Sequence, residues 1–279
     1  MEQFTLIKSD NQIVEFRKYL HREEIREISM DFEGEYNLHC YGEKLCLIQI
    51  YDGKKFFIID PFTISGGEIK KFLEMDTIKY MYGAESDISL VYKQYGAKLE
   101  NVYDQKLLVD TLDLPGKGLS SVLEHILGIK IQGKKNFQMY NWTIRPVRAE
   151  ALDYALQDVK YLFNLNTSLM DLIQEKDICN ELIHRIIRNH FDYDKKRVPG
   201  IFKQKDYILL SQEKKEVFKR IFDAREKLAE KNNVPPSIII SKEDLFLLTE
   251  NREHIRKIGF NRRVSEKMKQ EIVETILKA

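Results

Sequence analysis

Cysteine is scarce in this chain of 279 residues. Cys40, Cys46 and Cys179 form neither a C-x-x-C pair nor the even-numbered framework of a disulfide-rich secreted domain, and they fit a reducing cytoplasm. His39-Cys40 with Cys46 lacks the second ligand pair of a structural zinc site. We therefore expect a cytoplasmic protein without disulfides and without structural zinc.

Long apolar runs are also missing. No stretch approaches the roughly 18–20 apolar residues of a membrane-spanning helix, and residues 1–16 show no basic segment followed by an apolar one. We expect no membrane span and no secretory signal. The length, with 43% hydrophobic and 32% charged residues, is typical of a globular protein with one large domain or two smaller ones.

A large net charge is absent, but the two halves of the chain differ in sign. Residues 1–184 contain 22 Lys and Arg against 29 Asp and Glu, whereas residues 185–279 contain 23 against 15. An acidic half joined to a basic half suggests a polyanionic partner that the basic half binds. A solvated basic surface remains the alternative.

Apolar stretches at 28–34, 45–53 and 55–62 follow one another with Gly and Asp between them, which predicts a three-stranded antiparallel meander. Two further short strands are predicted at 78–83 and 101–104. Helices are predicted at about 67–75, from Ser86 onward, at 105–112, at 119–127, and as one long helix from Ala149 to Gln174. Strands followed by alternating strands and helices indicate an α/β sheet covered by helices.

The polar and basic segment 188–207, broken by Pro199-Gly200, marks a domain boundary. We predict a first domain at 1–184, a linker at 185–205 and an all-helical domain at 206–279. Ser211, Ser241 and Ser265 are its expected helix caps.

Acids interrupt an apolar strand at residues 28–35. Side chains alternate along a strand, so Met30 and Phe32 point to one face while Asp31 and Glu33 point to the other. On its own this pattern is typical of a surface strand with one solvated face.

Two further sites, at Asp87 and at Asp158, carry acids that common structural roles would explain. Asp87 lies in a first helical turn, where the helix dipole and a Ser86 cap would account for it. Tyr154 and Asp158 are four residues apart on one side of a helix, as in many hydrogen-bonded pairs. If all four acids converged, however, their repulsion and desolvation would be costly, and Mg²⁺ or Mn²⁺ would resolve the conflict.

The combination resembles the three motifs of the DEDDy 3′→5′ exonucleases: Asp31-x-Glu33, Asp87 within "GAESDISLV", and Tyr154-x-x-x-Asp158. Residues 134–162 are similar to the ribonuclease D branch, with Trp142, Arg145 and Pro146 before the tyrosine motif. The segment "AREKLAEKNNVPPSIIISKEDLFLLTE" resembles a helicase-and-ribonuclease-D C-terminal (HRDC) domain. The resemblance implies a ribonuclease H-like mixed sheet flanked by helices (the DEDD exonuclease fold), plus a small all-α helical bundle.

By this resemblance the chain hydrolyses RNA 3′ ends, releasing nucleoside 5′-monophosphates with two divalent ions, Mg²⁺ or Mn²⁺. Asp31, Glu33 and Asp158 would hold the ion that activates water. Asp31 with Asp87, through water, would hold the ion at the leaving 3′-oxygen. Tyr154, alongside Glu33, would orient the water rather than act as a base, because an unperturbed tyrosine pKa is near 10.

The chain departs from the family pattern at few positions: Asn141 stands where Asp is common, and residues 103–106 replace an Asp-Thr pair. Neither is a family metal ligand. The residues expected to contact nucleic acid are Arg145, Lys195, Lys196, Arg197, Arg252, Arg256, Lys257, Arg262 and Arg263, with Lys267 and Lys269 near the last helix.

The metal motifs leave the substrate open. The helical module favours structured RNA such as tRNA precursors over DNA or short oligoribonucleotides. A catalytically silent nucleic-acid-binding protein is the remaining alternative. No protein partner is indicated by the sequence.

Overall fold

A six-stranded mixed sheet organises the first part of the chain. The computed structural model describes residues 3–131, 137, 139–193 and 198–279. The strands are β1 (Phe4–Ile7), β2 (Glu27–Tyr36), β3 (Glu43–Tyr51), β4 (Phe56–Ile59), β5 (Ile78–Met81) and β6 (Val102–Asp104), in the order β1-β4-β3-β2-β5-β6. β3 and β4 are antiparallel, while β1 with β4, β2 with β5, and β5 with β6 are parallel. The three strands of the predicted meander, β2, β3 and β4, are thus neighbours in the sheet, and β3 and β4 are antiparallel as predicted.

Eight helices of the described residues belong with this sheet. They are α1 (Asp10–Arg22), α2 (Gly66–Leu73), α3 (Glu85–Tyr95), α4 (Lys106–Leu112), α5 (Leu119–Leu127), α6 (Ala149–Lys160), α7 (Leu162–Glu175) and α8 (Cys179–Arg188). The chain folds as two compact units, residues 1–34 with 44–193 and residues 35–43 with 194–279. The predicted boundary at 184 falls inside α8, whose Leu182 is buried among side chains of α4, α5 and α7.

Alternation along strand β4 directs its side chains into two different cores. Phe57 and Ile59 of β4 pack on one side with helices α1 to α3, whereas Phe56 and Ile58 pack on the other side with α6. Side chains on the two sides of the strand therefore pack against different helices. Both faces of the sheet are covered, as the α/β pattern predicts.

The prediction of one long helix from Ala149 to Gln174 is wrong. The helix is interrupted at Tyr161, whose backbone angles are φ −105° and ψ 0°. α6 buries its apolar side chains against β3 and β4, while α7 buries its own against α4 and α5. The interruption at Tyr161 lets one continuous apolar stripe contribute to two separate cores.

Within the second unit, the described residues 198–279 contain only helices and irregular segments. Its helices are α9 (Lys205–Ile208), α10 (Gln212–Asn232), α11 (Pro236–Ile239), α12 (Lys242–Glu250) and α13 (Glu266–Lys278). The predicted caps are confirmed: the hydroxyls of Ser211, Ser241 and Ser265 accept from backbone N–H groups three residues on. Phe218, Ile221, Leu245, Ile272 and Ile276 are fully buried in a core of their own. In the described part of the chain, no helix is both long enough and apolar enough to cross a bilayer.

Candidate metal centre

The centre begins on strand β2. Met30 is fully buried and Phe32 is 7% exposed, both in the core that faces α1 to α3. The alternation therefore turns Asp31 and Glu33 to the opposite face of the strand, the face on which α6 packs. The prediction that Met30 and Phe32 point into the core is confirmed. The acidic side faces a helix rather than open solvent.

Helix α6 supplies the second set of groups. Tyr154 and Asp158 are one turn apart, so both project from the same side of the helix. Carboxylate oxygens of Asp31, Glu33 and Asp158 all lie within 4.8 Å of one another. A strand and a helix distant in sequence thus bring three acids to one point.

Burial and mutual repulsion dominate the electrostatics of this cluster. Burial raises the pKa of Asp31 well above its usual range, and the charges of Asp158, Asp87 and Glu33 raise it further. Burial likewise raises the pKa of Glu33, followed by the charges of Asp158 and Asp87. A hydrogen bond from the Phe32 backbone N–H acts in the opposite direction on Asp31. The acids are thus held together against their own repulsion.

Asp87 belongs to the same electrostatic cluster although it lies outside the group within 4.8 Å. It occupies the first turn of α3, and its charge raises the pKa of both Asp31 and Glu33. Burial, and then the charge of Asp104, raise the pKa of Asp87 to about 7. Ser86 does not cap this helix: α3 starts after Ala84 without a side-chain cap.

Asp104, a residue that the sequence reasoning did not single out, binds the start of α3 instead. Its Oδ1 accepts from the backbone N–H groups of Gly83 (2.7 Å) and Lys106 (3.0 Å), and its Oδ2 accepts from that of Ala84 (3.0 Å). Gly83 has φ +73°, which glycine adopts without strain. Asp104 thereby fixes the turn that leads to Asp87. An acid at the last position of a short strand, directly before a helix, was the available signal.

A hard divalent cation fits these donors. The cluster offers several carboxylate oxygens, which Mg²⁺ and Mn²⁺ prefer over the nitrogen and sulfur ligands of softer metals. Bound positive charge would remove the repulsion that raises the pKa of Asp31 and Glu33. The donor set therefore matches the cofactor expected from sequence.

Tyr154 lies beside the cluster with only 9% of its surface exposed. Its ring stacks on that of Phe137, with centroids 5.2 Å apart and planes at 25°. Burial raises the pKa of Tyr154, and the charges of Asp158, Glu33 and Asp31 raise it further. The hydroxyl is consequently protonated at neutral pH and available as a hydrogen-bond donor.

Arg145 is occupied by protein acceptors. Its Nε and Nη2 donate to the two carboxylate oxygens of Asp60, at 2.6 and 3.0 Å. Nη2 also donates to the carbonyl of Cys46 (2.6 Å), and Nη1 donates to the carbonyls of Trp142 (2.7 Å) and Ile144 (3.0 Å). Arg145 therefore ties the segment before α6 to β3 and to the end of β4. Its contact with nucleic acid stays a prediction.

The other basic residues predicted to bind nucleic acid are distant from the acids in sequence. Those that the structure describes belong to the second unit: Arg252, Arg256, Lys257, Arg262 and Arg263. Arg256 pairs with Glu253 (2.6 Å), and Arg263 donates to the carbonyl of His39 (3.0 Å). Lys195, Lys196 and Arg197 lie outside the described residues.

Comparison with known proteins bears on the same region. A family model described as 3'-5' exonuclease matches residues 4–174, the segment that carries the four acids and Tyr154. The exosome complex component 10 homolog of Caenorhabditis elegans is 26% identical over 176 residues, which cover 62% of this chain and 20% of that protein. Ribonuclease D of Cronobacter turicensis is 28% identical over 138 residues, 48% of this chain and 37% of that protein. The chain thus matches less than two fifths of the length of these relatives.

The fold is also similar to that of a solved structure. Escherichia coli RNase D, described as an exoribonuclease involved in structured RNA processing, superposes with a TM-score of 0.71. The match covers 99% of this chain and 75% of that one at 18% sequence identity. The likeness confirms the predicted architecture of a mixed sheet flanked by helices with a C-terminal helical region.

Proposed function

Because the chain belongs to the 3'-5' exonuclease family, we propose that it is a metal-dependent exoribonuclease that removes nucleoside 5′-monophosphates from RNA 3′ ends. The observation that carries the proposal is the meeting of Asp31, Glu33 and Asp158 within 4.8 Å. Asp87 adds its charge to the cluster, and Tyr154 lies beside it. An inactive relative would have no need to keep such mutually repelling acids together.

Asp31, Glu33 and Asp158 would hold one divalent ion, and Asp31 with Asp87 the second. When bound, such a pair of ions supplies an activated water and stabilises the charge on the leaving oxygen. The raised pKa of Tyr154 keeps its hydroxyl protonated, so that it orients the attacking water by a hydrogen bond together with Glu33. Asp104 holds Asp87 in place through the Gly83–Ala84 turn.

The names of the relatives indicate RNA as the substrate. One is named ribonuclease D, another is a homolog of an exosome component, and the Escherichia coli protein is described as processing structured RNA. We propose that this chain acts on structured RNA such as a tRNA precursor. DNA and short oligoribonucleotides are the competing substrates.

The second unit is proposed to be an HRDC-like domain that adds affinity for RNA. Its helical architecture supports this, as does a structural match that extends over 99% of the chain. Its exposed cations, among them Lys257, Arg262 and Arg263, would contact phosphates without reading sequence.

A digestion series tests the proposed function. We expect RNA labelled at its 5′ end to be shortened stepwise in Mg²⁺ or Mn²⁺, with nucleoside 5′-monophosphates released, and no shortening in EDTA. Matched DNA and a diribonucleotide, run alongside, should be cleaved more slowly than RNA that carries a 3′ tail next to a stem. Products are resolved by gel electrophoresis and chromatography.

Each substrate reports on a different alternative. Faster cleavage of DNA or of the diribonucleotide would replace the RNA assignment while keeping the nuclease. Retention of RNA on the protein without release of nucleotides in either metal would favour the silent binding protein and overturn the proposal.

Asp104→Ala is expected to raise the Mg²⁺ concentration needed for half-maximal trimming by about 10-fold, since groups that orient metal ligands typically contribute about 10–100-fold. The substitution removes the acceptor of three backbone N–H groups near Asp87. Trimming rates measured over a Mg²⁺ titration provide the readout.

Asp113→Asn is the control for Asp104, because the side chain of Asp113 is 93% exposed and asparagine tolerates the φ of +50° at this position. It should leave the Mg²⁺ titration unchanged. An Asp104→Ala enzyme with the Mg²⁺ requirement of the wild type would show that Asp104 does not position Asp87.

A further inference from the structure

Arg148 occupies an unfavourable position for an arginine. It is the N-cap residue of α6, where Ser, Thr, Asp or Asn is preferred, and no side-chain cap hydrogen bond is made there. Its positive charge also lies at the positive end of the helix dipole. The stability of α6 therefore does not explain this residue, and local rules of this kind are most often broken at functional positions.

Aromatic rings hold the Arg148 side chain in place. Its guanidinium carbon lies 5.0 Å from the ring centroid of Tyr140 and 5.9 Å from that of Phe137. The backbone N–H of Arg148 donates to the Tyr140 hydroxyl at 3.2 Å. A guanidinium stacked on rings keeps its N–H edges available for a bidentate acceptor.

Arg148 and Arg145 differ in what they contact. The N–H groups of Arg145 are used by Asp60 and by backbone carbonyls. Arg148 is exposed, and among the described residues no acceptor takes a hydrogen bond from its guanidinium. Of the two arginines that precede α6, Arg148 is the one with unused donors.

The position of Arg148 relative to the acids follows from Phe137. The ring of Phe137 is 5.2 Å from that of Tyr154 and 5.9 Å from the guanidinium of Arg148. Arg148 is therefore within about 11 Å of Tyr154, the sum of these two separations. A nucleic-acid strand in a duplex carries one phosphate per roughly 3.4 Å of axis, so this distance corresponds to the last few nucleotides of a bound strand.

We propose that Arg148 binds a backbone phosphate of the RNA 3′ end, within a few nucleotides of the bond that is cleaved. The inference rests on the proposed function and extends it to a binding residue. The acids at the centre repel a polyanion, and a fixed cation within about 11 Å of Tyr154 would offset part of that repulsion. Arginine suits the task because its planar fork matches phosphate geometry.

Arg148→Ser tests the proposal, because serine restores a good N-cap while it removes the cation. We expect KM for a single-stranded oligoribonucleotide to rise about 10-fold, the effect of losing one charge-assisted contact, with kcat changed less than about 2-fold. The slope of log KM against log salt concentration should fall by about 0.7, the value for one phosphate contact on a single strand. The melting temperature should be unchanged or higher.

Arg148→Lys keeps the charge without the planar fork and should recover part of the lost affinity. Arg22→Ser removes an exposed arginine in the last turn of α1 and should leave KM and the salt slope unchanged. A purely structural role of Arg148 predicts the opposite pattern: a lower melting temperature with KM and salt slope as in the wild type. That result would overturn the inference.

Direct binding separates this inference from the proposed function. Affinity for the labelled oligoribonucleotide is measured in EDTA, where no cleavage is expected. If the wild type cleaves RNA but Arg148→Ser binds and cleaves as the wild type does, only the inference fails. If the wild type releases no nucleotide, the proposed function fails, and weaker binding by Arg148→Ser would still support Arg148 as an RNA contact.

Discussion

Asp31→Asn and Asp158→Asn are each expected to reduce the rate of nucleotide release at least about 10³-fold, equivalent to ~4 kcal/mol of transition-state stabilisation. Each substitution takes one of the three carboxylates that lie within 4.8 Å of one another and replaces it with a neutral amide. The remaining acids would hold a divalent ion weakly and in a different position. The measurement is the single-turnover rate of RNA trimming in excess Mg²⁺ or Mn²⁺.

Thermal melts distinguish a lost metal site from a lost fold. The charges of Asp158, Asp87 and Glu33 raise the pKa of Asp31, which means that these acids repel one another without metal. Removing one charge relieves that repulsion, so both variants should melt at or above the wild-type temperature in EDTA. Added Mg²⁺ or Mn²⁺ should raise the melting temperature of the wild type more than that of either variant.

Asp171→Asn is the matched control, because Asp171 is an exposed residue of α7. It should trim RNA and respond to metal like the wild type. Trimming at the wild-type rate by Asp31→Asn or Asp158→Asn would show that the catalytic centre lies elsewhere. Inactive variants that also melt far below the wild type in EDTA would indicate misfolding instead.

Lys79→Met is expected to lower the free energy of unfolding by about 3 kcal/mol, at roughly 1 kcal/mol per carbonyl left without its donor. Lys79 of β5 is fully buried. Its Nζ donates to the carbonyls of Met75 (2.6 Å), Thr77 (2.8 Å) and Glu100 (3.0 Å). Methionine matches the shape of lysine but donates no hydrogen bond, so all three contacts are lost.

The loss should appear as a fall of about 6–12 °C in melting temperature, at about 2–4 °C per kcal/mol for a unit of this size. Lys54→Met is the matched control: Lys54 is an exposed lysine between β3 and β4, and its substitution should shift the melt by less than about 1 °C. A fall below about 2 °C for Lys79→Met would mean that water or rearranged backbone satisfies the three carbonyls.

The features of the site and of the fold that could be predicted are those with a short-range sequence pattern. The alternation of Met30 and Phe32 with Asp31 and Glu33 is a property of four consecutive residues in a strand. The spacing of Tyr154 and Asp158 is one helical turn. The caps at Ser211, Ser241 and Ser265 depend on contacts three residues away. Each signal is local, and each of these residues lies in the kind of element that was expected.

The errors concern relations between distant segments. The apolar stripe from Ala149 to Gln174 is compatible with one helix, and only the presence of two cores explains its interruption at Tyr161. The strand β1 and helix α1 were not anticipated, although Ser9 caps α1 through the backbone N–H of Gln12. No local signal shows that Leu182 is buried against α4, α5 and α7, although the break between the two units falls within the predicted linker 185–205.

Lys79 and Asp104 illustrate why such residues escape a reading of sequence. A lysine in a short strand is ordinarily expected to reach solvent, yet here carbonyls from Met75, Thr77 and Glu100 surround its ammonium group. Asp104 binds amides of the Gly83–Ala84 turn, about twenty residues before it in the chain. Both roles depend on which loops the sheet brings side by side.

The sequence by itself determined the kinds of chemical group in this protein and the face of each element on which they lie. Periodicity and capping act over a few residues. They specify three separate local features: the pair Asp31 and Glu33, the single acid Asp87, and the pair Tyr154 and Asp158. The tertiary structure decided that these acids meet. Packing of α6 and α3 against the sheet gathers charges that would separate in an unfolded chain, and it alone placed Asp104 against the turn that leads to Asp87.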